Sequence, residues 1–270
     1  MSTFEAIVLG IVQGFTEFLP ISSTAHLRIV PAFAGWEDPG TAFTAVIQLG
    51  TVLAVVVYFR HDLWNIARAW LASLRDPSRR GEQDARMGWY LIAGTVPIAV
   101  IGFAFSDAIE TKTRDLYLIG TTLIALGLAL LAAERLSKHE RKLESTTMRD
   151  AIAIGFGQAA ALIPGVSRSG STITVGLFLG FNREAAARLS FLLSVPAVVL
   201  SGIYQLGDAL DADQGIDMIL ISTFFAFLSG YLAIAGLLRF LVNHTTMVFV
   251  VYRVVLGVTV IALAAGGIIE

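Results

Sequence analysis

Apolar residues run along this chain in blocks, and polar segments cut the blocks apart. Residues 41–59, 87–106, 116–133, 187–206, 217–241 and 247–268 are each apolar runs near the length of a bilayer-crossing helix, which takes about 20 residues. Two further apolar stretches are interrupted. Phe4 to Leu19 predicts a helix that stops at Pro20, after which Ser22 or Ser23 caps a second helix reaching about Phe33. Residues 150–181 predict a second unit of this kind, broken at Pro164. Each piece is too short to span alone, so each unit predicts a re-entrant hairpin of two half-helices with its break at depth. Pro97 predicts a kink inside its span. The period-two alternation of a membrane barrel is absent. The predicted fold class is all-α integral membrane, with six transmembrane helices plus two re-entrant helical hairpins.

The order of elements repeats, which predicts an inverted-topology repeat within one membrane domain, 1–140 and 145–270. Pro20-Ile21-Ser22-Ser23-Thr24 echoes Pro164-Gly165-Val166-Ser167-Arg168-Ser169. Gln13 and Gln158 precede those prolines at similar distances, and Leu53-Ala54-Val55-Val56 echoes Pro196-Ala197-Val198-Val199. Leu126-Gly127 echoes Leu256-Gly257.

Composition and charge sharpen this picture. The chain is 56% hydrophobic and 15% charged, against about 45–50% and about 25% in a soluble domain. With no cysteine there is no disulfide and no thiolate chemistry, and a net charge of −2 argues against nucleic acid. The N-terminus has no basic n-region followed by a cleavage site, so no signal peptide is expected. Segments 60–86 and 134–149 carry most of the Lys and Arg and are expected in the cytoplasm. Segment 207–217, with Asp208, Asp211, Asp213 and Asp217, is expected outside. Three spans per half then turn the halves opposite ways, so the hairpins enter from opposite faces and their tips meet near the midplane.

The candidate chemistry sits at those tips. Arg168 at membrane depth costs roughly 2.5–3.5 kcal/mol and demands an anionic or richly oxygenated partner. Around it, Gly165, Ser167, Ser169, Gly170 and Thr172 offer hydroxyls and backbone N–H groups suited to an oxyanion. Ser22, Ser23 and Thr24 open the facing helix, and two helix starts present unpaired N–H groups and positive dipole ends. Gln13 and Glu17 share one helix face, as do Ser23 and His26. Glu17, Ser23, His26 and Arg168 thus supply a carboxylate, a hydroxyl, an imidazole and a phosphate clamp, the parts that phosphoryl transfer needs. Gln48 and Gln158 read as interhelical hydrogen-bonding groups. Arg253, near the start of its span, reads as a residue that snorkels to the cytoplasmic face.

The stretches Gln13-Gly-Phe-Thr-Glu17-Phe-Leu-Pro-Ile-Ser-Ser23-Thr-Ala-His26 and Pro164-Gly-Val-Ser-Arg-Ser-Gly-Ser-Thr172 resemble the two signature motifs of the bacitracin-resistance type of undecaprenyl pyrophosphate phosphatases. The resemblance covers nearly the whole chain. It implies removal of the terminal phosphate of undecaprenyl pyrophosphate, a carrier lipid of cell-wall synthesis, at a site opening to the outer side of the bacterial cytoplasmic membrane. It implies a divalent cation, Mg²⁺ or Ca²⁺, on Glu17 and Gln13. Catalytic roles fall on Glu17, Ser23, His26 and Arg168, and substrate binding on Ser22, Thr24, Gly165, Ser167, Ser169, Gly170 and Thr172. It adds Tyr252-Arg253 as a further substrate contact. The chain departs from the pattern at Gln13, where glutamate is common, and at Ala25, where glycine is frequent. A neutral amide is a poorer metal ligand, so a metal would rest more on Glu17. Either Ser23 or His26 can be the nucleophile. The competing reading is a transporter or flippase for a lipid phosphate or another anion. Expected partners are the polyprenyl lipid, membrane lipids and, as an assembly open to this chain, a second copy in a homodimer.

Overall fold

The computed structural model describes residues 1–105, 115–204, 207 and 215–269. The turn expected at 107–115 falls outside them except for Asp115, and so do Asp208, Asp211 and Asp213. The described residues form eleven α-helices. They are α1 (Thr3–Phe18), α2 (Ser23–Ala34), α3 (Gly40–Tyr58), α4 (Arg60–Arg75), α5 (Gln83–Ala104) and α6 (Leu116–Leu136). After them come α7 (Met148–Ala159), α8 (Arg168–Phe178), α9 (Arg183–Tyr204), α10 (Ile216–Asn243) and α11 (Met247–Ala265). Six of these, α3, α5, α6, α9, α10 and α11, are long and apolar enough to cross a membrane, and the molecule is a multi-pass membrane protein. Their outer faces carry the side chains that lipid would cover, such as Val100, Leu220 and Val255. Pro97 lies inside an unbroken α5.

The remaining apolar helices are short. α1, of 16 residues, extends about 24 Å, and the others are shorter, less than the roughly 30 Å hydrocarbon core. α1 packs on α2, and α7 on α8. A capping box starts each unit: Ser2 with Glu5, and Thr147 with Asp150. Close backbone approach then seats each unit on a span from the other half of the chain. Gly10 and Gly14 of α1 lie against Ser222 and Ser229 of α10, and Ser222 Oγ donates to Ala6 O at 2.8 Å. Gly155 of α7 lies against the backbone of Gly94 on α5. Small residues permit this contact where apolar burial gives no net drive. Elsewhere α6 pairs with α11, and α3 with α9 and α10.

The segment 60–86, expected only as a polar loop, contains α4. Ile66 and Ser73 are buried, and the helix packs on α5, where Gly88 makes room for Trp70. Its other face exposes Trp64, Leu71 and Leu74 beside Arg68 and Arg75. The arginines hide a 3.6-residue apolar period that was present in the letters.

Ion pairs tie the ends of the helices on the arginine-rich side. Arg183 pairs with Glu134, which also accepts from Thr246 Oγ1 at 2.8 Å. Arg188 meets Asp62 at 3.0 Å. Arg141 forks onto both oxygens of Asp150, at 3.0 and 2.6 Å, and lies over the Phe181 ring. Burial disfavours the charged form of Asp150, but hydrogen bonds from Arg141 and Thr147 together with the Arg141 charge outweigh it and hold the carboxyl below its usual range.

Candidate functional site

Both broken units turn in the same way. Ser22 and Ser167 occupy the caps of α2 and α8 with positive φ, 75° and 68°, a region rarely used by residues with a Cβ. Each cap oxygen accepts from the amide three residues on, Ala25 and Gly170, at 3.3 and 3.1 Å. The amides of Ser23, Thr24, Arg168 and Ser169 stand at the first two positions of the two helices and have no acceptor among the described residues. Two positive helix ends therefore face one region.

The two tips touch through charge and hydrogen bonds. Arg168 Nη2 pairs with Glu17 Oε1 at 2.5 Å. The other oxygen, Oε2, accepts from Ser23 Oγ at 2.6 Å and from Gln13 Nε2 at 2.8 Å. Ser169 Oγ donates to Leu19 O at 3.0 Å. All these side chains are buried or nearly so. Arg168 Nε and Nη1 have no acceptor among the described residues. The result is a serine hydroxyl on a carboxylate, with a partly unused guanidinium and four free amides beside it.

A cavity of about 450 Å³ opens above this cluster. Glu17, Ser22, Ser23, Thr24, Gln48, Gly165, Ser167 and Arg168 give it a polar floor. Its walls are the later halves of α5 (Thr95, Ile98, Ala99, Gly102, Phe103) and α9 (Ala197, Val198, Leu200, Ser201, Tyr204), with Ala161 and Leu162. The cavity thus lies toward the ends of α5 and α9 remote from the ion-paired, arginine-rich side. A polar floor under an apolar shaft is suited to an amphiphile carrying an anionic head.

Several expected site residues do not line that cavity. His26 holds Ser22 O through Nδ1 at 2.7 Å, and its Nε2 lies 2.7 Å from Tyr252 OH, with the two rings stacked. The carbonyl requires the proton on Nδ1, so Nε2 accepts from the tyrosine when the ring is neutral. Thr172 is fully buried and bridges Arg168 O and Ser190 Oγ, each at 2.7 Å. Ser169 serves the tip-to-tip contact, Gly170 lies against Leu126, and Gln13 is buried behind Glu17. Arg28, another basic residue near the first break, pairs with Asp38 at 3.4 Å.

Arg253 corrects the expectation of a snorkelling or substrate-facing residue. It is 0% exposed and lies between α6 and the two breaks. Its guanidinium donates to Pro20 O at 3.2 Å, Gly165 O at 3.0 Å and Leu123 O at 3.1 Å, with longer contacts to Thr122 O and Val166 O. Thr122 Oγ1 donates to Pro164 O at 2.6 Å. Arg253 therefore fastens one break to the other through carbonyls that neither helix can satisfy.

For a divalent cation, the donor set is thin. Both Glu17 oxygens already have partners, and no group of three or more His, Asp or Glu gathers among the described residues. What remains is the buried Gln13 Oε1, which has no hydrogen-bond partner, beside that carboxylate. This set fits a cation that brings most of its own shell as water and phosphate oxygens, and does not form a cage of its own.

The chain matches the family described as Bacitracin resistance protein BacA over residues 6–259. It is 52% identical to the undecaprenyl-diphosphatase of a Nocardioides species over 98% of this chain and 97% of the relative. It is 48% identical to undecaprenyl-diphosphatase 2 of Streptomyces coelicolor, over 100% of this chain and 97% of that protein. The undecaprenyl-diphosphatase of Myxococcus xanthus is 51% identical, over 99% of this chain and 91% of its own length.

Proposed function

The chain belongs to the BacA family of bacitracin resistance proteins, and from that premise we propose how its site acts as an undecaprenyl-diphosphatase. The enzyme removes the terminal phosphate of undecaprenyl diphosphate and leaves the monophosphate. One observation carries the site assignment: Ser23 donates its hydroxyl hydrogen to Glu17, and Glu17 is held in turn by Arg168, on the floor of an apolar-walled cavity. A lipid-phosphate transporter, the competing reading, has no use for a hydroxyl so placed.

In the proposed mechanism the diphosphate enters among the free amides and takes Arg168 as its counter-ion. Glu17 accepts the Ser23 proton as Oγ attacks the terminal phosphorus. The bond to the bridging oxygen breaks, and undecaprenyl phosphate leaves with the electron pair. Arg168 and the helix-start amides stabilise the charge on the transferring phosphoryl. Water then attacks the phosphoserine while Glu17 returns the proton it took to the departing Ser23 Oγ; both water protons leave on inorganic phosphate, and the serine and the ionised carboxylate are regenerated. His26 holds the Ser22 carbonyl and with it the turn that presents Ser23. Glu17, with Gln13 behind it, would hold a divalent cation carried in by the diphosphate, which supplies charge neutralisation.

We further read the two broken units as re-entrant hairpins of an inverted repeat, 1–140 against 145–270, with the cavity opening outward from a bacterial cytoplasmic membrane. Matching marks support this. Ser2 and Thr147, Glu5 and Asp150, Gln13 and Gln158, and Ser22 and Ser167 are each 145 positions apart. The packing of α1 on α10 mirrors that of α7 on α5. The positive-inside rule puts the arginine-rich end in the cytoplasm, opposite the cavity mouth.

Purified protein in detergent, given undecaprenyl diphosphate with a divalent cation, should release one inorganic phosphate per lipid. Release should fall when EDTA is added. No release with any divalent ion overturns the reading.

A further inference from the structure

Gln48 was expected to join helices, and it does not. Gln48, on α3, lines the same cavity as Glu17, Ser23 and Arg168. It is only partly buried, and its amide makes no hydrogen bond with any described residue. Among the described residues, one side chain bonds to Gln48, and it takes the backbone carbonyl, Thr51 Oγ1 donating at 2.6 Å. Two other polar groups of this cavity differ. Thr95 is satisfied by Leu91 O at 2.7 Å, and Glu17 is saturated. Gln48 is thus a bifunctional group inside a membrane-embedded helix, with an unpartnered amide, lining the cavity that Ser23 and Arg168 also line. An interhelical amide would be spent on a neighbouring helix. An amide kept unpaired at a polar floor is placed for a ligand.

We propose that Gln48 is a substrate-contacting residue whose Nε2–H₂ donates to a non-bridging oxygen of the diphosphate head. This rests on the phosphatase reading and adds a donor from a third direction. Arg168 and the amides of α8 approach from one tip and the amides of α2 from the other, while α3 belongs to neither. The carboxamide suits this position. It donates without adding a positive charge that would hold the anionic product, and without a negative charge that would repel the substrate.

The test uses full-length protein with Gln48→Met and Gln48→Glu, each close in size to the original side chain. Gln48 makes no side-chain hydrogen bond in the fold, so Gln48→Met should leave the elution profile and melting temperature unchanged. Losing a hydrogen bond to a charged phosphate should lower kcat/KM by roughly ten- to hundredfold. Inorganic pyrophosphate, as a competing probe, should inhibit that variant correspondingly less. Gln48→Glu should be more severe at neutral pH, because it replaces the donor with a second negative charge beside Glu17. Its activity relative to wild type should recover as the pH falls toward the carboxyl range. Joining helices would produce neither that order nor that pH signature. A Gln48→Met enzyme within twofold of wild type overturns the proposal. So does a loss matched by a lower melting temperature with unchanged pyrophosphate inhibition. An inactive wild type would instead sink the phosphatase reading itself.

Discussion

Arg168 and Arg253 show how differently a buried guanidinium can be used. Arg168 shares one nitrogen with Glu17 and leaves others open to the cavity, whereas Arg253 is fully enclosed by carbonyls of both breaks. The first was legible in the letters, because an arginine among serines and glycines inside an apolar run needs an anion. The second was not, because its partners are backbone carbonyls, which every residue has and no sequence marks. Their variants should diverge accordingly. Arg168→Lys keeps the charge but loses the planar fork, and should reduce turnover about a hundredfold or more, with Arg168→Ala lower still. Both should elute and melt like the wild type apart from the lost Glu17 pair. Arg253→Lys leaves carbonyls at both breaks without donors, and should lower the melting temperature together with the activity. Phosphate release measured beside thermal unfolding in detergent separates the two patterns. An Arg168→Lys enzyme at full rate would contradict the clamp.

At the level of elements, the breaks were readable and their geometry was not. Pro20 stops α1, and Pro164 stops the 3₁₀ turn Ala160–Leu162 into which α7 runs, for a local reason, the missing N–H and the constrained residue before it. That Ser22 and Ser167 take a positive φ, and so turn their hydroxyls to cap the next helix, depends on packing around them. Helix α4 is hidden in the letters because its arginines interrupt the apolar period that its buried face, Ile66 and Ser73, follows. Two glycines isolate what the second break requires. Gly165 and Gly180 both have φ above +80°, at 81° and 87°. A Cβ at Gly180 would meet only Arg141 at 3.5 Å, while one at Gly165 would strike Thr122 Oγ1 and lie 2.8 Å from Ile119 O. Gly180→Ala should therefore cost about 1–2 kcal/mol from backbone strain alone. Gly165→Ala should cost more, and should lose activity beyond its loss of stability, since the break it displaces carries Ser167 and Arg168. Denaturation midpoints and kcat/KM on both variants check this, and equal effects at the two glycines would refute it.

On the scale of the whole molecule, six spans follow from composition and length and stand where the apolar runs put them. Which side each end faces is a question of charge and parity, and there the two broken units decide everything. If α7 and α8 go in and return, residues 134–149 and the turn between α10 and α11 lie on the same side of the membrane. If that unit crosses, they lie on opposite sides, because α9 and α10 cross in between. The chain has no cysteine, so single cysteines report position without background. Glu37, Lys138 and Thr245 are exposed positions in three inter-helical segments. Glu37→Cys, between α2 and α3, should react with a membrane-impermeant maleimide on intact cells. Lys138→Cys and Thr245→Cys should react only after permeabilisation. Labelling of Thr245→Cys from outside, with Lys138→Cys still protected, would mean that the second unit spans the bilayer. The two helix starts would then no longer approach one another from opposite leaflets.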